Sequence, residues 1–278
     1  MKTPEIIKAE TDPLVEEAID TEDSSKLEEL FTKACELARQ QAVETKDPET
    51  RAHLQGYALW LTARKFRRLT GLALKEKAYD QADKHIGNYD NAVTELHRFL
   101  VGKIKEGLKL QNIEEPPEKI LAQREEFDAD FLVAQVESDR SKGPSLGPQI
   151  MEKVTSATKK YGSLGRLEDV AGCYLTLSNF YMATGDIENE HRTIDKAAET
   201  FLKASEKEGL PEDERARLLA TSLGLRGVTS IRYGSLLLAR GRPDEAESLF
   251  SKAALALRNP ANYLVGLGTW RNPRLRLT

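Results

Sequence analysis

Apolar residues recur along most of this chain at three- and four-residue steps, the spacing that lines one face of an α-helix. After "TEDSS", whose side chains suit an N-cap, Leu27, Leu30, Phe31, Ala34, Leu37 and Ala38 form one such stripe. Pro48 suits the first turn of a second helix. In it Leu54, Tyr57, Ala58, Leu61 and Ala63 lead into "ARKFRRL", and the pattern predicts helix to about residue 85. "GNYD" at 87–90 reads as a turn, followed by Ala92, Val93, Leu96, Phe99, Leu100 and Ile104 on one face. Pro116 and Pro117 close the first half, because proline is excluded from helix interiors and restricts the residue before it. A helix over about 117–138 carries Ile120, Leu121, Phe127, Phe131, Leu132 and Val136. "SDRSKGPSLGP" at 138–148 is predicted to be a flexible connection. Further helices are expected at about 148–160, 165–184, 188–207, 211–224, 226–240 and 244–257.

Strands leave a different trace, alternating Val, Ile, Thr or Tyr between turn residues, and no convincing run of that kind occurs. The fold class expected is therefore all-α. Short turns make successive helices antiparallel neighbours, which allows either stacked hairpins in an α-solenoid or an irregular helical bundle. The expected organisation is a flexible N-terminal segment over 1–20, an N-terminal helical region over 21–140, a C-terminal helical region over 148–258, and an irregular basic tail over 259–278.

Internal repeats separate the two arrangements. Counting from Gly227, Gly234 falls at position 8, Gly241 at a turn, Ala246 at 20, Phe250 at 24 and Ala253 at 27. This stretch, "YGSLLLARGRPDEAESLFSKAALAL" and the residues before it, resembles a tetratricopeptide repeat, a helix–turn–helix unit with small residues where its helices cross. A second match starts at Ala171, with Tyr174, Leu177, Tyr181, Gly185, Asp186 and Ala197 in register. It departs at Ser178, and at Glu190, where the pattern has a small residue. A third match, around Gly87, Ala92, Leu96 and Phe99, covers the second helix only. The turn glycines Gly87, Gly185 and Gly241 are unequally spaced, so the resemblance is to divergent, long-helix members of the family. It implies a TPR-like α-solenoid acting as a protein-interaction adaptor, with a concave groove for a partner peptide or helix. The groove positions it implies are Leu175, Asn179, Met182 and Ala183 in one unit, and Ile231, Ser235, Leu238 and Ala239 in the other. A clamp for an acidic C-terminus would need Lys where Leu175 stands, so an apolar groove for an amphipathic helix, or for the chain's own tail, is expected instead. The alternative function is a self-associating helical-bundle regulator whose groove is capped by that tail, and a homo-oligomer is compatible with it.

Composition narrows the function classes. The chain has 278 residues, 40% apolar and 31% charged, which suits a globular protein with a sizeable core. No apolar run approaches the roughly 18 residues of a membrane span. The N-terminus lacks a basic, apolar secretion signal, and Cys35 and Cys173 sit in apolar helical patterns as buried thiols, so a cytoplasmic location is expected. Charge comes in blocks: 7 basic and 14 acidic residues over 1–60, 11 and 6 over 61–110, 3 and 9 over 111–140, and 9 and 3 over 225–278. Such blocks dock on one another or face partners. Within the second block, Arg64, Lys65, Arg67 and Arg68 around Phe66 form a candidate basic surface for an acidic partner. Nucleic acid is not the expected partner, since the pI is about 5.8 and no recognition motif occurs.

Catalytic and cofactor signatures are missing from the sequence. His53, His85, His97 and His191 have no second His or Cys at metal-ligand spacing. "GSLGR" and "GLGTW" follow no strand, as a phosphate loop would, and no Gly-x-Ser-x-Gly elbow occurs. The acids of "QREEFDADF" are expected on exposed faces, where nothing raises their pKa toward proton-transfer work. A non-enzymatic protein without metal or cofactor is the expectation.

Overall fold

The structure, a computed structural model, describes residues 4–108 and 116–258. Its helices are α1 (Pro4–Asp20), α2 (Ser24–Glu44), α3 (Pro48–Lys75), α4 (Tyr79–Lys105) and α5 (Pro117–Ser138), then a 3-10 turn at Arg140–Lys142. Next come α6 (Gly143–Ser163), α7 (Leu167–Thr184), α8 (Ile187–Ser205), α9 (Glu212–Ala239) and α10 (Pro243–Ala256), with no strand among the described residues. The fold is all-α, as the apolar spacing predicts. Two compact units, Met1–Arg124 and Glu125–Thr278, divide the chain inside α5 rather than at the 138–148 stretch. Within the first unit α1 packs on α2, α2 on α3 and α3 on α4. Within the second, α6 packs on α7, α7 on α8, α8 on α9 and α9 on α10. Each unit is thus a succession of antiparallel helices, each burying one face on the next.

The helices end in a recurring way. Gly107, Gly165, Gly185 and Gly241 adopt φ between 66° and 80° just beyond α4, α6, α7 and α9. At each, the following amide reaches five residues back, as in Asp186 N to Tyr181 O at 2.9 Å and Arg242 N to Leu237 O at 2.9 Å. These are Schellman closures, which satisfy orphan carbonyls and favour glycine because the left-handed region crowds a Cβ. Lys77 takes the same role after α3, with φ 59° and Ala78 N bonded to Ala73 O, but it carries the Cβ strain. Replacing Lys77 by Gly is expected to stabilise the protein by about 0.5–1 kcal/mol, the relieved strain outweighing the added chain entropy. A lower urea midpoint for the variant would contradict this.

Four local expectations are corrected by tertiary packing. Residues 4–20 are not a flexible segment but helix α1, whose Val15 and Ala18 join the buried cluster of Leu27, Phe31, Leu61 and Leu69. Pro13 lies within that helix and removes one backbone donor, while the amphipathic face still finds a partner in α2. "GNYD" at 87–90 is no turn: it lies inside α4, where buried Tyr89 continues the stripe of Ala92, Val93 and Leu96, and the break falls at 76–78 instead. The 138–148 stretch is a 3-10 turn and the start of α6, not a connection. Its glycines serve a close helix crossing, since a Cβ on Gly143 would meet Thr184 Cγ2 at 3.0 Å and one on Gly147 would meet Phe180 Cζ at 2.9 Å. Finally, α9 runs unbroken through 224–226, because Gly224, Leu225 and Gly227 are buried in its interior. The expected basic tail over 259–278 lies outside the described residues.

Candidate interaction surface

The hairpins α7–α8 and α9–α10 hold the residues expected to line a groove. Their geometry follows the small-residue pattern: Ala246 and Ala253 are buried on α10, and Ala197 and Ala198 on α8. A Cβ on Gly234 would meet the Phe250 ring at 2.9 Å, so this glycine sets how closely α9 and α10 approach. Asp186, the residue after the turn glycine, caps α8 by accepting from Asn189 N at 3.1 Å.

The expected groove residues separate into two groups. Leu175 is 1% exposed and shares the core of Ile194, Ala198, Phe201, Leu218 and Leu225. Asn179 and Ala183 are buried as well, and Met182 is half-buried. This row of α7 is therefore taken up by the core and corrects the expectation that it lines a groove. The cause is the length of α9, 28 residues, whose N-terminal half brings Leu218 and Leu225 into that core. On the C-terminal half of α9 the outcome is the reverse. Ile231 is 41% and Leu238 55% exposed, seven residues apart on one helical face, with exposed Ser235 between them and exposed Ala239 beside Leu238. Cations accompany this row: Arg232, Arg240 and Arg242, the last two paired with Glu188 at 4.0 Å and with Glu245.

Behind the row lies a polar seam between α8 and α9. Glu190 is 1% exposed, and its charge faces Arg232, whose Nη2 lies 3.2 Å from Oε2. His191 Nδ1 lies 3.2 Å from Thr229 Oγ1, its Nε2 lies 3.6 Å from Asp195, and its ring stacks on Tyr233 at 4.5 Å. The order Asp195–His191–Thr229 has the outline of a nucleophile relay. Thr229, however, is 3% exposed on the inside of α9, where a substrate carbonyl has no approach. In the sequence, the signal for this seam was Glu190 at a position that should be small. Arg232 and the pairing of His191 carried no signal of their own, because they depend on which faces of α8 and α9 meet.

The basic run is also reassigned. Arg64, Lys65, Arg67 and Arg68 are all half-buried rather than an open surface. Arg64 lies over the Trp60 ring at 4.9 Å, and Lys65 lies 3.9 Å from Glu28. Arg68 donates to the carbonyl of Thr21 at 3.4 Å, a favourable place for a cation just past the end of α1. Lys75 pairs with Glu22. The acidic first block and the basic second block therefore dock on one another inside the first unit. The acids of "QREEFDADF" are likewise docked, not exposed: Asp128 is held by Lys153, Glu125 by Lys160 at 2.7 Å, Glu126 accepts from the Tyr161 hydroxyl at 2.7 Å, and Asp130 from Thr176 at 2.6 Å. Cys35 and Cys173 are buried thiols, and burial raises both pKa values.

Among the described residues no group of three or more His, Cys, Asp and Glu side chains is placed to hold a metal ion. No described helix is long and apolar enough to cross a membrane. No family model matches the sequence, and no curated protein matches it. Among solved structures the chain is similar to a circular tandem repeat protein with novel repeat topology and enhanced subunit contact surfaces. The identity is 14% and the TM-score 0.37, with 98% of this chain covered. The match spans 61% of that protein's length.

Proposed function

We propose that the protein is a non-catalytic, tetratricopeptide-like scaffold that receives one amphipathic helix of a protein partner on the C-terminal half of α9. The observation that carries this reading is the row of Ile231, Ser235 and Leu238, two large apolar side chains left open at a seven-residue step. An i, i+7 apolar pair matches the ridge of an incoming helix, whose own anchors recur at that step. Arg240 and Arg242 beside the row, about half exposed, favour a partner helix with Asp or Glu flanking its apolar stripe, charge speeding encounter and apolar burial holding the complex. The inaccessibility of Thr229 supports the non-catalytic part of the reading.

The test compares a tagged wild-type chain with Ile231→Asp and Leu238→Asp variants in quantitative capture at moderate salt. Each substitution is expected to weaken the partner by about tenfold or more, as loss of an apolar anchor does. Thermal stability should move by no more than about 0.5 kcal/mol, because the replaced side chains are exposed. An identical set of captured proteins from wild type and variants would overturn the assignment of the face.

A further inference from the structure

The last turn of α10 ends beside the open row of α9. α10 runs back along α9 with the Phe250 ring against Gly234 and the Leu257 side chain seated on Gly227, where a Cβ would collide with it. Gly227 is buried and Leu257 half-buried. Ile231 and Leu238 each stand four residues after one of these glycines, one turn along α9 and about 40° around it. The two exposed side chains therefore border the α9–α10 contact rather than the opposite side of α9. The chain leaves α10 at Arg258, next to Leu257 and so about one turn of α9 from Ile231.

The sequence that follows is suited to this row. Residues 259–270, beyond the described structure, carry no charge, and Tyr263, Leu264, Val265, Leu267 and Trp270 bring five large apolar side chains. The row from Ile231 to Leu238 spans about 10 Å of helix, whereas the twelve residues from Arg258 to Trp270 reach up to about 40 Å. Tethering gives such a segment an effective concentration of about a millimolar, so even a shallow apolar contact is populated.

We propose that residues 261–270 cover Ile231 and Leu238 in the free protein, and that an incoming helix binds by displacing them. The proposal rests on the reading of this row as the receiving face and adds its regulation. Charge decides the exchange. Arg240 and Arg242, each about half exposed, gain nothing from the uncharged segment and are opposed by Arg271, Arg274 and Arg276 after it. Acids on a partner helix are attracted to the same two arginines. An acid-flanked helix therefore displaces the segment, while an uncharged helix of equal apolarity competes on poorer terms.

The chain has two tryptophans, Trp60 and Trp270, so labelling with 5-fluorotryptophan gives the full chain two fluorine resonances. Trp270→Phe identifies the one that belongs to the segment. In the free protein the Trp270 resonance is expected to shift between water and heavy water several-fold less than free 5-fluorotryptophan does. Ile231→Ser with Leu238→Ser, at exposed positions and without a new charge to attract the arginines of the tail, should restore the full shift. Circular dichroism of the same sample confirms that the helices of the variant are intact. A Trp270 shift already equal to the free value, or one unaltered by the double substitution, would overturn the cover. So would shielding confined to a dimer in sedimentation velocity, which would put a second copy's segment on the row. No partner enters this measurement, so its failure is separable from that of the receiving role: capture weakened by Ile231→Asp and Leu238→Asp without shielding of Trp270 keeps the role and overturns the cover.

Discussion

Truncating Phe201 to Ala lowers the unfolding free energy by about 3–5 kcal/mol, the range for a fully buried aromatic. Phe201 is fully buried on α8, in the core that joins Ala171 and Leu175 of α7 to Leu218 and Leu225 of α9. The neighbours on its own helix, Ala197, Ala198 and Ala204, are too small to fill the space it leaves. The lost ring therefore costs both its transfer free energy and a cavity. Urea denaturation followed by circular dichroism measures the change. Phe201→Leu, which keeps most of the volume, is expected to cost under about half as much. A loss below about 1 kcal/mol for Ala would mean that α7, α8 and α9 do not share one core.

The second large effect is expected at Gly234. In an exposed helix Gly→Val gains a few tenths of a kcal/mol from helix propensity, so the sign of the measured change is itself informative. Here a Cβ would lie 2.9 Å from Phe250 Cε1 and 3.2 Å from two further ring atoms. Valine adds two methyl groups beyond that Cβ, and overpacking of this kind costs about 1–3 kcal/mol. Removing the ring resolves the clash. In a double-mutant cycle with Phe250→Ala, the Val side chain should cost much less than in the parent. Additive effects would show that the α9–α10 crossing is not set by this glycine and ring.

Gly234 and Phe250 are legible in the sequence, since their spacing matches a close helix crossing. So are the turn glycines Gly185 and Gly241, whose left-handed φ values make the turns they mark. Gly87, Gly143 and Gly147 look the same to a local reading and behave otherwise. Gly87 is absorbed into α4 because Tyr89 two residues on is buried, and Gly143 and Gly147 admit Thr184 and Phe180 side chains from another helix. A glycine marks either a turn or a close contact, and only the neighbouring helix decides which.

The candidate surface was half legible. Ile231, Ser235 and Leu238 are exposed, while Leu175 and Asn179 in the matching row of α7 are buried. Both rows carry the same pattern of residue types, so no count along the chain distinguishes them. The difference arises because Leu218 and Leu225 of α9 pack in the core that holds Leu175, whereas Ile231 and Leu238, on α9 itself, stay exposed. The basic run of Arg64 to Arg68 shows the same limit, since its partners lie some 40 residues away, at the end of α1 and in α2.

What the sequence alone determined is the all-α class, most helix positions, the glycine-closed turns and the small residues at the α9–α10 crossing. These follow from spacing within a few turns of chain, where backbone sterics and apolar periodicity act. Tertiary structure alone decided which face of each helix is buried on a neighbour. That choice made α1 a packed helix, paired Lys65 and Lys75 of the basic block with Glu28 and Glu22 of the acidic one, left one row of α9 open, and buried Glu190 against Arg232. It depends on energies of surfaces brought together from distant parts of the chain, which no local pattern records.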